Sequence, residues 1–140
     1  MLQRLQTVWL LLVAVLAFVS LKVSFFSGNI LVENAKQFQN FTAMSNMLIM
    51  ILTVGVGIAS LITIFLFKDR KLQIKIGFAI LAVAVLNIVL YYLQTKNYVP
   101  KEWTFDITSL ITIAIPFLLF LAIRGIYKDE KLVKSVDRLR

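Results

Sequence analysis

Four long apolar runs, at residues 7–26, 46–67, 74–93 and 107–123, constrain this chain more than any other feature. Each is near the ~20 residues that carry an α-helix across a hydrocarbon core ~30 Å thick, at ~1.5 Å rise per residue. Lipid offers the backbone no hydrogen-bond partner, so a spanning segment must satisfy its own amides, as a helix does. The last run is the shortest and is bounded by Asp106 and Arg124. With 60% hydrophobic residues and a mean hydropathy of +0.88, the chain exceeds what a soluble domain can cover. The first run follows Arg4 as a secretory leader would, but its length and Lys22 at the cleavage position point to a retained span.

The flanking charges orient these spans. Arg4 precedes the first; Lys68, Arg70, Lys71 and Lys75 crowd the second connection; Arg124, Lys128, Lys131, Lys134, Arg138 and Arg140 follow the fourth. Only Lys22, Lys36, Lys96 and Lys101 lie on the other side, with Glu33, Glu102 and Asp106. A Lys/Arg excess marks the cytoplasmic face, so both termini and the middle connection are expected there. The net charge of +8 is then a signal of topology, and the interleaved acids argue against nucleic-acid binding.

The expected fold is therefore all-α: a polytopic membrane protein with four transmembrane helices in an up-down-up-down bundle, residues 1–127, and a short cytoplasmic helix at 128–140. The first connection, 27–45, is the longest extramembrane stretch between helices, and the third carries Pro100 in an exposed turn. Gly55, Ala59 and Thr63 recur every fourth residue, a strip on which another helix can approach. Asn87 is the lone amide in mid-span and is expected to bond across the bundle. Pro116 frees the carbonyl of Thr112 and bends the fourth helix, with Thr108 and Thr112 bonding locally around the defect.

What is absent narrows function. There is no cysteine and no histidine, so thiol chemistry, disulfides and the usual zinc sets are excluded. Between their edges the spans contain no Asp, Glu or Arg, the groups that build proton relays and ion pathways. No cofactor is expected, and no enzyme activity.

The charged tail remains. Leu132, Val136 and Leu139 share one helical face with Val133 beside it, Glu130 precedes Lys134 by four, and Gly125 is a plausible hinge at the bilayer edge. So short a helix is marginal in water and must lie on lipid headgroups, on the protein's own 1–7 and 68–73 stretches, or on a partner. Arg124, Gly125, Asp129, Glu130, Lys131, Leu132, Val133, Ser135, Asp137, Arg138, Leu139 and Arg140, with Gln3, Arg4 and Gln6 at the start, resemble a family of small four-helix bacterial membrane proteins of unknown function. That family belongs to a Gram-negative phylum rich in gliding and gut bacteria; Lys134 and Val136 depart mildly from its pattern. The resemblance spans the chain in layout and implies an inner-membrane address with no known activity.

The expected function is a non-enzymatic accessory or scaffold protein of an inner-membrane assembly. It would dock through Arg4, Arg70, Lys71, Asp129, Glu130, Asp137 and Arg138 on a protein partner or a second copy, beside an anionic inner leaflet. The alternative is a small channel or transporter for a neutral or hydrophobic solute, lined by Asn87, Thr112 and the Pro116 bend.

Overall fold

The computed structural model describes residues 2–138, without the side chains of Leu2, Gln3, Arg4 and Asp137. Its elements run α1 (Leu2–Ser20), β1 (Ser24–Val32), β2 (Ala35–Thr42), α2 (Met47–Phe65), α3 (Arg70–Gln94), β3 (Trp103–Phe105) and α4 (Ser109–Asp137). Capping side chains open two of the helices: Asn46 Oδ1 accepts from the amides of Leu48 and Ile49, and Asp69 Oδ1 from that of Leu72.

The four helices pack in a ring, α1 and α3 each against both α2 and α4. Each turns a seven-residue pattern of small, polar and branched side chains inward. On α3 the buried stripe is Gln73, Gly77, Ile80, Ala84, Asn87 and Tyr91; on α2 it includes Ile49, Thr53, Val56, Ser60 and Thr63. Alternating steps of three and four residues keep a stripe facing its neighbours along near-parallel helices. The outward faces are the apolar ones: Val8, Leu11, Val15, Ile51, Ile58, Ile62, Phe78, Val89, Phe117 and Phe120 are all exposed. The interior is apolar too, around Leu10, Val13, Val56, Ile80 and Leu119, but large apolar side chains on the outward faces and several polar groups within distinguish it from a water-soluble helical protein. Among the described residues, three helices are long and apolar enough to cross a membrane, Met47–Phe65, Arg70–Asn97 and Ser109–Val136, and α1 adds a shorter apolar helix over Leu5–Ser20.

The fold is not purely helical. An antiparallel three-stranded sheet, ordered β2-β1-β3, sits at one end of the helices. β1 and β2 form a hairpin whose turn residues Glu33 and Asn34 take φ of 48° and 67°, the left-handed pair that matches the twist of two strands. The first apolar run accordingly does not continue as helix to residue 26: α1 stops at Ser20, Lys22 lies in the following turn, and Phe25 and Phe26 enter β1. Burial of those rings decides this. Phe25 stacks on Tyr91 at 4.4 Å, Phe26 stacks on Phe41 at 4.9 Å, and Tyr98 and Trp103 meet Phe26 edge-on. A helix through 26 would leave this aromatic layer unbuilt.

β3 crosses β1 so closely that only glycine fits at position 28, where a Cβ would stand 2.6 Å from that of Trp103. Pro100 and Lys101 make the turn leading in, with Lys101 at φ 66° and the amide of Glu102 donating to the carbonyl of Val99. Polar bonds tie the sheet across the chain: Ser27 to Asp106 at 2.7 Å, Asn29 to Glu102 at 3.1 Å, and Lys36 to Glu102 as an ion pair.

The tail is not a separate helix. α4 runs unbroken for 29 residues through both Pro116 and Gly125. The α2–α3 turn, the start of α1 and the end of α4 meet at the end of the molecule opposite the sheet.

Candidate functional site

Four elements bring polar side chains together at that end. α2 finishes at Phe65, and the side-chain amide of Gln73, one turn into α3, donates to the carbonyl of Thr63 at 3.0 Å. This closes the short connection and buries Gln73 to 5% exposure. From the first turn of α3, Arg70 reaches α4. Its Nη2 lies 3.3 Å from Asp129 Oδ2, and its Nη1 donates to the Asp129 carbonyl at 3.4 Å. α1 contributes Gln6, 6% exposed, whose side chain lies over Gly125 of α4; a Cβ there would come within 3.0 Å of Gln6 Cγ. Gly125 is therefore a seat for Gln6 and not a hinge.

Two atoms in this cluster are buried without a hydrogen-bond partner among the described residues, Gln6 Nε2 and Asp129 Oδ2. The Arg70 contact with Asp129 Oδ2 is an ion pair that lacks hydrogen-bond alignment. Gln6 and Asp129 border one open pocket of about 410 Å³, with Thr7, Arg70 and Gln73 as further polar lining and Ile64, Phe65 and Phe67 as its apolar wall. Beside it, Lys68, Asp69 and Lys71 of the turn face Glu130, Val133 and Lys134 of α4 across a groove of about 530 Å³.

Of the residues expected to act on this face, Arg70 and Asp129 are joined, and Glu130 pairs with Lys134 at 2.7 Å in the favourable i, i+4 order. Lys71 is exposed at the groove, and Arg138 is exposed at the end of α4. The side chains of Arg4 and Asp137 lie outside the described residues, as do Leu139 and Arg140. The apolar stripe expected to dock the tail is not buried: Leu132, Val133 and Val136 are exposed. Asp129 points inward instead, in step with Leu119, Ala122 and Ile126 above it.

The mid-span candidates form a second, smaller cluster. Asn87 is buried and donates to Thr53 Oγ1 at 2.8 Å, and Thr53 donates in turn to the carbonyl of Ile49 at 2.7 Å. Asn87, Thr53 and buried Thr112 border a void of about 10 Å³ with Ala17 and Ala84, and Asn87 Oδ1 has no hydrogen-bond partner among the described residues. Thr108 bonds to the carbonyl of Ser24 rather than within its own helix, pinning α4 to β1. Of the Gly55, Ala59 and Thr63 strip, Gly55 and Ala59 line a groove against α3 and Thr63 is buried, but no helix closes on Gly55, where an added Cβ would meet nothing within 4 Å.

Sequence reasoning singled out neither Gln73 nor Thr53, and it took Gln6 only as part of the family pattern, not as a buried group. The signal was present in spacing: Gln73 precedes Asn87 by fourteen residues, two seven-residue repeats, so both belong on one face, and Gln6 leads Leu10, Val13 and Ala17 on the buried face of α1.

The chain belongs to the family described as "Domain of unknown function (DUF4293)", which matches residues 2–139. No curated protein and no solved structure matches it.

Proposed function

We propose that this protein is a non-enzymatic accessory or scaffold subunit of a bacterial inner-membrane assembly. All four helices cross the bilayer, the sheet lies outside, and both termini and the α2–α3 turn face the cytoplasm. The basic residues of the turn and of α4 support that orientation.

One observation carries the reading. Arg70 and Asp129 bind the turn and the tail to each other, so the exposed Lys68, Lys71, Lys131 and Arg138, with Leu132 and Val136, stand on a fixed base. A preordered surface of mixed charge and apolar side chains loses less entropy on docking than a free tail would. A protein partner or a second copy fits such a surface, next to anionic lipid.

A path for a solute has less support. The void bordered by Asn87 and Thr112 has room for about one water molecule, and its amide is engaged by Thr53.

The test is isolation from the native membrane in several mild detergents with crosslinking. A stoichiometric companion should be recovered, and the double charge reversal Lys71→Glu with Lys131→Glu should release it while membrane insertion persists. Recovery of a lone chain under every condition would overturn the reading.

A further inference from the structure

The pocket between α1, α3 and α4 presents an unusual combination: a buried amide donor at Gln6 and a buried carboxylate oxygen at Asp129, each without a hydrogen bond, with the guanidinium of Arg70 3.3 Å from that oxygen. Unsatisfied buried polar atoms are costly, so two of opposite kind bordering one cavity ask for a ligand that both accepts and donates. Arg70 and Asp129 cancel in formal charge. A purely anionic group would meet Asp129, and a purely cationic one would meet Arg70.

The apolar wall narrows the ligand further. Phe65 and Phe67, exposed at 77% and 58%, stand at the rim where α2 ends, at the level of the headgroups if the long helices span a bilayer. A soluble ligand would have no use for rings that open onto lipid.

We propose that this pocket binds the headgroup of a phospholipid bearing a primary ammonium, a phosphoethanolamine ester. Its phosphate oxygens accept from Arg70 and from the Gln6 amide, its ammonium donates to Asp129, and its acyl chains leave along Phe65 and Ile64. The volume, about 410 Å³, lies within the range of small-molecule sites. A quaternary choline headgroup has the same charges but no N–H to give Asp129, so the site should distinguish the two. The proposal rests on the membrane placement above but on no protein partner.

The experiment uses the full chain, reconstituted in bilayers of equal parts phosphatidylethanolamine, phosphatidylcholine and phosphatidylglycerol with matched acyl chains, then released for native mass spectrometry. Retained phosphatidylethanolamine should exceed phosphatidylcholine by ~tenfold, as one charge-assisted hydrogen bond allows. Excess free phosphoethanolamine should not displace it. Asp129→Asn should bring the ratio of the two lipids near one, and Gln6→Leu should lower retention of both. Equal retention of the two zwitterions by the wild-type chain would overturn the proposal, and so would preference for phosphatidylglycerol. Displacement by free phosphoethanolamine would overturn it in favour of a soluble phosphoester. The wild-type comparison needs no variant to fold, and in a chain shown to be inserted its failure counts against the pocket alone, leaving the scaffold reading intact.

Discussion

Single residues hold the strands of the sheet together, and two of them make sharp predictions. At Gly28 an added Cβ would lie 2.6 Å from the Cβ and 2.7 Å from the Cα of Trp103, contacts that only a backbone shift can relieve. Gly28→Ala should therefore cost about 1–3 kcal/mol, read as a lowered melting temperature in detergent. An unchanged melt would mean that β3 does not press on β1. Glu102 accepts from Lys36 and Asn29, and its carboxyl is held below the usual carboxylate range, first by the Lys36 bond and then by the Asn29 bond. A depressed folded value means that the carboxylate stabilises the sheet above its ordinary value of 4.5 and loses that contribution as pH falls through the lower folded one. Trp103 emission, followed in a Trp9→Phe background, should show an acid-dependent loosening of the sheet that Glu102→Gln removes.

At the scale of elements, α4 departs most from what its own stretch of sequence suggests, running as one helix over Ser109–Asp137. Its tail shows charges, an apolar stripe and a glycine, which together suggest a hinge and a short amphipathic helix. Helical propensity alone cannot distinguish a break at Gly125 from a close contact there, and the contact is Gln6 of α1, 119 positions earlier in the chain. The end of α4 is held instead by Arg70, whose side chain is 22% exposed against 14% for Asp129. A part-buried pair that lacks hydrogen-bond alignment is worth about 1 kcal/mol, far less than a fully buried and aligned one. Arg70→Ala should accordingly raise amide exchange over residues 130–136 by about fivefold while leaving the centre of α4 protected, as expected of a local opening. Exchange that rises equally throughout α4 would show that the pair supports the whole helix. The caps, in contrast, are local: Asn46 and Asp69 act on amides two or three positions away.

For the whole molecule the decisive prediction is orientation. The chain has no cysteine, so single replacements report without background. Gln39→Cys on β2 should react with an impermeant maleimide applied to intact spheroplasts, and Ser135→Cys on α4 should react only after lysis. The opposite pattern would invert the topology and move the lipid pocket to the outer leaflet. Runs of apolar residues and the placement of lysine and arginine were enough to anticipate the long helices, because transfer into lipid and retention of charge depend on local composition. Even Asn87 was legible as an amide needing a partner. Its bond to Thr53, the pairing of β3 with β1, the burial of Asp129 beside Arg70 and the seating of Gln6 on Gly125 were decided only by tertiary structure. Each depends on two segments far apart in the chain meeting at one distance and angle, a geometry that no single stretch of residues contains.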